Sequence, residues 1–189
     1  MDFEKHVVIP STIDEAWTFL MDVPAVSRCL PGVESVEELG DDVYAGVMNV
    51  RVGAVKVKFQ GRIEVTERDP VAHRASMRVQ GDDKRIGGAM TATIQMQLTE
   101  RTEREVDLHV VSEAAVLGKL GELGQAVVLK KADQIMTQFA GNVAQALGGT
   151  PEAAAGPPVE APPPPSPQRR GLWPSVRAWF AKLWGGSPE

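Results

Sequence analysis

A change of period near Ala115 constrains this chain more than any other feature of its sequence. Between Val33 and Ala115 apolar residues recur at every second position, and between Leu117 and Leu147 they recur every three or four. The first spacing gives strands with one apolar and one wet face; the second gives a helix with an apolar stripe. The clearest alternation sets Val55, Val57, Phe59, Ile63 and Val65 against Lys56, Lys58, Gln60, Arg62 and Glu64. His73, Ala75, Met77 and Val79, then Met90, Ala92, Ile94, Met96 and Leu98, then Val106, Leu108 and Val110 continue it, and Val33–Leu39 and Val43–Val52 flank a Gly40-Asp41-Asp42 hairpin turn. Six or seven such strands, joined by short turns, predict a curved antiparallel sheet. The stripe Leu120, Val127, Val128, Ile135, Phe139, Val143 and Leu147 predicts one long helix with a single place to bury itself, the concave face of that sheet. The expected fold class is therefore α+β, a curved sheet gripping a C-terminal helix.

Ahead of the sheet, Phe3–Ile9 reads as a strand ended by Pro10. Ser11 or Thr12 can cap a helix with Asp14 and Glu15 in its first turn and Ile13, Ala16, Trp17 and Leu20 on one side. Asp22 followed by Pro24 starts a second short helix, which must end before Pro31-Gly32.

Composition shifts at Gly148 and sets the domain organisation. Residues 1–147 form the domain. Residues 148–168 carry eight prolines, favour extended polyproline II geometry, and read as a flexible linker reaching roughly 65 Å. Residues 169–189 read as an amphipathic tail. On a helix, Leu172, Trp173, Val176, Trp179, Phe180, Leu183 and Trp184 fall on one face, Arg177 at its border, and Arg169, Arg170 and Lys182 complete a basic rim. Such a helix is about 16 Å long, too short for a bilayer core of about 30 Å, and suits the membrane interface, where indoles sit at headgroup depth and cations meet anionic lipid. The alternative is a helix docking in a groove of a partner or of its own domain.

Residues 1–148 hold 16 Lys and Arg against 22 Asp and Glu. That balance argues against nucleic-acid binding, and it would hold the domain away from an anionic membrane unless the tail recruits it. One cysteine, Cys29, and no apolar N-terminal leader favour a cytoplasmic protein on the inner leaflet of the cell membrane.

Gly118, Gly121 and Gly124 open the expected helix at a spacing of three, which is not the G-x-G-x-x-G of dinucleotide sites. They read as clearing one helix side, for packing or for the mouth of a cavity. His6, His73 and His109 show no ligand spacing, so no metal site is expected. His109 and Glu113 lie on the polar face of a strand as solvated residues, and Cys29 reads as a small buried apolar residue. No catalytic constellation is evident. Candidate inward residues Met48, Met77, Met90, Met96 and Met136, with few aromatics, fit either a filled core or walls that repack around an apolar guest.

Four runs carry a resemblance: Cys29-Leu30-Pro31-Gly32-Val33-Glu34, the element from Val52 to Gly61 with Gly53, Lys56 and Phe59 spaced within it, Gly87-Gly88, and Gly118-Lys119-Leu120-Gly121. Over residues 1–147 the chain resembles the carbon monoxide dehydrogenase G-subunit family of the START-like, helix-grip superfamily. The resemblance implies a non-catalytic accessory protein without a cofactor of its own. It would recruit a molybdenum-containing carbon monoxide dehydrogenase, or a related molybdenum hydroxylase, to anionic membrane lipid. It also implies a hydrophobic ligand, a respiratory quinone such as menaquinone or ubiquinone, walled by Val57, Phe59, Met77, Met90 and Ile94 and entering past Gly118, Gly121 and Gly124. No buried charge is evident there to repel a ring. The alternatives are a pure anchor or assembly factor with a filled core and, third, a START-like enzyme on a small apolar substrate, which lacks an acid/base pair.

Overall fold

The first strand, β1 (Asp2–Ile9), leads through Pro10 into two capped helices. In α1 (Ile13–Met21) the Thr12 hydroxyl accepts from the Glu15 N–H at 3.4 Å while the Glu15 carboxylate accepts from the Thr12 N–H at 3.3 Å, a reciprocal capping box. In α2 (Val23–Ser27) the Asp22 carboxylate accepts from the Ala25 N–H at 3.0 Å, and Pro24 sits in the first turn, where no N–H is missed. The chain then turns at Gly32, whose φ is +90° and where a Cβ would stand 2.1 Å from the carbonyl oxygen of Asn49. Only glycine fits that point, which accounts for the Leu-Pro-Gly run.

Six strands follow: β2 (Val33–Gly40), β3 (Val43–Val52), β4 (Val55–Asp69), β5 (Arg74–Asp83), β6 (Gly88–Thr102) and β7 (Glu105–Gly118). All pair antiparallel in one curved, unclosed sheet ordered β1-β7-β6-β5-β4-β3-β2, so β1 crosses to lie against the last strand. A 3-10 turn (Gly121–Leu123) precedes α3 (Gln125–Ala146). The computed structural model describes residues 1–148; the expected linker and amphipathic tail, from residue 149 onward, lie outside the described residues.

The helix starts later than its apolar spacing predicts. Leu117 belongs to β7, and Gly118 ends that strand at φ +66° with Gly88 opposite it. The pairing of β7 with β6 through Leu117 satisfies the backbone groups that a helix starting there would have had to bond internally. α3 packs chiefly on β1, and more lightly on β3. Lys5 on β1 pairs with Asp133, and the Asn142 side-chain amide donates to the carbonyl of Cys29 at 2.8 Å, tying the helix to the end of α2. The apolar core gathers Ile9, Val106, Leu108, Leu98, Ala16 and Val143 where α1 and the second half of α3 meet the sheet.

Candidate lipid-binding groove

The register puts the expected wall residues on one face. Val57 opposes Val50, Phe59 opposes Met48, Met77 opposes Ile94, and Met90 opposes Gly81, so all five point to the side where Ala75, Met96 and Leu108 form the core. Their burial differs. Val57 is 2 % exposed, whereas Phe59, Met77, Met90 and Ile94 are only half-buried. The helix explains why: its buried residues Phe139, Ala140, Val143 and Ala144 all lie in its second half. Its first half holds no buried residue, Val128, Leu129 and Ile135 being half-buried, so it covers the sheet loosely and leaves an apolar gap beneath it. Ile94 and Met136 mark the border, both packed on the core from the open side.

Small residues widen that gap. Gly46, Gly61 and Gly81 stand side by side across β3, β4 and β5 on the inner face, and Phe59 lies over Gly81, 3.4 Å from where a Cβ would be. The three glycines expected to clear a helix side act differently from that reading. None of the three lies within α3. Gly118 turns the chain at a point where a Cβ would stand 1.8 Å from the Gly87 carbonyl oxygen, Gly121 begins the 3-10 turn, and Gly124 is the N-cap of α3 at φ +83°. Between them Leu120 folds inward, 2 % exposed, onto Gly88. The mouth of the gap is bordered by Val127, which reaches to 3.9 Å of the Cβ position at Gly53, while exposed Leu117 pairs with Ala89 on the outer face beside it.

With this geometry in view, the comparisons decide the family. The family model for CoxG, the G-subunit of carbon monoxide dehydrogenase, matches residues 6–148. This chain belongs to the CoxG family. Solved structures share the fold of the domain. A conserved protein from Geobacillus kaustophilus is 26% identical, with a TM-score of 0.71 over 78% of this chain and 95% of that one. A START superfamily protein from Mycobacterium smegmatis is 13% identical, with a TM-score of 0.60 over 78% of this chain and 97% of that one. The ZhuI aromatase/cyclase from Streptomyces sp. R1128 is 16% identical, with a TM-score of 0.57 over 78% of this chain and 93% of that one. The last two likenesses concern the fold alone. No curated protein matches the chain significantly.

The CoxG-family domain holds a buried charge at the groove's end, which corrects the expectation that none is present. Asp83, 3 % exposed, accepts from the Arg85 guanidinium at 2.7 and 3.1 Å and from the Lys58 N–H at 2.8 Å. The Arg85 hydrogen bonds, followed by that of the Lys58 amide, hold its carboxyl well below the usual carboxylate range. Beside it lies a recess of about 370 Å³ lined by the cations Arg51, Lys56, Lys58 and Arg85 together with Asn49, Val50 and Val57. Of the expected wall residues only Val57 borders this recess, so Phe59, Met77, Met90 and Ile94 form an open apolar face, separate from it.

On the outer face the structure joins what sequence spacing left apart. His6 opposes His109 across β1 and β7, their rings stacked at 4.1 Å. His109 Nε2 lies 2.7 Å from a Glu4 carboxylate oxygen, and His6 Nδ1 lies 2.8 Å from one of Asp107. His109 therefore answers to Glu4, not to Glu113. Cys29 is buried as expected, and burial pushes its thiol up. No helix among the described residues is long and apolar enough to cross a membrane.

Proposed function

We propose that this protein is a lipid-binding accessory protein that carries an isoprenoid quinone, menaquinone or ubiquinone, in the groove between the first half of α3 and strands β4–β6. By this reading, residues 169–189 hold it on the inner leaflet and it brings a molybdenum-containing carbon monoxide dehydrogenase to that membrane, as the family's name implies for the partner. The observation that carries the ligand is the half-covered apolar face of Phe59, Met77, Met90 and Ile94. Left to water, such a face costs on the order of 25 cal/mol per Å², which an apolar guest relieves. Thioether and aliphatic walls adapt to a ring and a prenyl chain alike. The tail's three Trp and basic rim support the membrane assignment.

A second reading, an enzyme, draws on the aromatase/cyclase likeness. The groove walls named above are Val, Phe, Met and Ile, none able to move a proton, which favours carriage over chemistry.

Organic extract of the full-length protein purified from its native host, analysed by mass spectrometry, is expected to contain an isoprenoid quinone. Calorimetry with a soluble quinone analogue should show binding to the parent and loss of binding in Met90→Trp, which fills the groove. Met90 is a cleaner probe than Gly121, where a Cβ would already stand 3.0 Å from the Val116 carbonyl oxygen and disturb the turn. An extract without quinone, together with a parent that gives no binding heat, would leave the pure-anchor reading.

A further inference from the structure

We propose that the groove-mouth end of the domain is itself a docking surface for an anionic bilayer, so that the domain meets the membrane mouth first. The inference rests on the lipid-carrier reading above and extends it from the tail to the folded domain.

One end of the molecule collects four chain segments. Val52 opposite Val55 closes the β3–β4 turn, and Asp83 opposite Gly88 closes the β5–β6 turn. Gly88 opposite Gly118 sets the end of β7 beside that turn, and Val127 sets the start of α3 beside Gly53. The segments 51–56, 84–87 and 117–131 that form this end carry seven Lys and Arg against one acid, Glu122. Asp83, just inside it, is already bound by Arg85.

The β2–β3, β4–β5 and β6–β7 turns define the opposite end. Their segments 37–42, 69–73 and 100–105 carry eight acids against two arginines, Arg101 and Arg104. The excess of acids over residues 1–148 is thus an average over two ends of opposite sign, and the expectation that the domain's charge holds it off an anionic surface applies to one of them.

Charge alone would fit any acidic partner; the apolar residues among the cations select a bilayer. Leu117, 64 % exposed on the outer face where β7 ends, and Val127, 41 % exposed at the start of α3, stand at this end of the molecule among Lys119, Lys130 and the β3–β4 turn. Apolar side chains ringed by Lys and Arg match the boundary between acyl chains and anionic headgroups. The cations act over about a Debye length, ~10 Å at moderate salt, so only this end responds to the surface. A guest leaving the bilayer then enters the groove without crossing water.

The test uses full-length protein with one solvent-sensitive thiol dye on Leu117→Cys or, separately, on Leu39→Cys, which lies 56 % exposed at the acidic end. Cys29 is buried and stays unlabelled. On vesicles of phosphatidylglycerol and phosphatidylcholine, a blue shift is expected for the dye at position 117 and none at 39. Lys119→Glu combined with Lys130→Glu should abolish the shift at 117 while the protein still pellets with the vesicles. If the protein pellets but the dye at 117 stays water-exposed, the domain hangs free of the membrane and the mouth-first proposal is wrong while the tail reading stands. Equal shifts at both positions, or an equal shift on pure phosphatidylcholine, overturn it too. If nothing pellets, both readings fall.

Discussion

Two halves of one inner sheet face meet very different neighbours. Near Ile9, Ala75, Leu98, Val106 and Leu108 the face is covered twice, by α1 and by the second half of α3, and each of these residues is at most 3 % exposed. Toward the other end of the same strands, Phe59, Met77, Met90 and Val79 lie outside that core and are only half-buried. β6 runs through both regimes: Met96 and Leu98 belong to the core and Met90 to the open groove. The difference is one of covering layers, since the alternation of apolar residues is the same in both halves. Stability and ligand capacity are therefore held by different stretches of the same strands.

Leu108→Ala is the largest expected effect that probes this contrast. It empties a fully covered site and should lower unfolding stability by about 2–5 kcal/mol. Met90→Ala, on the same face but half-covered, should cost no more than about 1 kcal/mol, because its environment is already partly open. Denaturant unfolding of the two variants beside the parent decides the matter. Equal losses would mean that the groove is as filled as the core.

Gly118→Ala comes next. Gly118 combines a left-handed φ of +66° with a Cβ position 1.8 Å from the Gly87 carbonyl oxygen, whereas Gly124, at φ +83°, has nothing within 4 Å. Alanine at Gly124 therefore incurs conformational strain alone, on the order of 1–2 kcal/mol, while alanine at Gly118 must also push apart the β6–β7 edge of the mouth. Thermal unfolding should rank Gly118→Ala clearly below Gly124→Ala. Similar melting temperatures would show that the mouth yields freely, and that its shape is not fixed by this contact.

Much of the fold was legible because the period of two survives wherever one face is buried. The strand series, the two capped helices and the final helix all follow from local pattern. The start of α3 was not, because Leu117 and Leu120 fall in phase with the helical stripe, while Ser112 and Ala114 dilute the apolar side of β7. Strand pairing overrode the local pattern. The His6–His109 stack was illegible for a different reason: it depends on the register of β1 against β7, which no local spacing encodes. For the groove, the Met-rich inner face suited a filled core and an open one alike, and only the reach of α3 shows which half is covered. Net charge concealed the basic mouth because summing erases position.

The smallest expected effect concerns what holds the open half together where apolar packing is thin. There the Asp83 carboxylate joins the β5–β6 turn to β4, through Arg85 and the Lys58 amide. These partners favour its charged form, so its folded pKa lies below the ordinary carboxylate value of about 3.9. A depressed folded pKa contributes stability that is fully present above the ordinary value and is lost as pH falls through the folded one. Because Arg85 is itself 66 % exposed, solvent screens the pair and the loss should be slight. The Lys58 amide reports it directly. In proton–nitrogen spectra its shift should stay constant as pH falls to about 4 and move only below that, whereas in Asp83→Asn it should not titrate with this group at all. The amide of Leu108, in the packed half, should remain still through the same range. A Lys58 midpoint near the ordinary carboxylate value would mean that the clasp is loose in solution, and that the open half owes its shape to the sheet ladder alone.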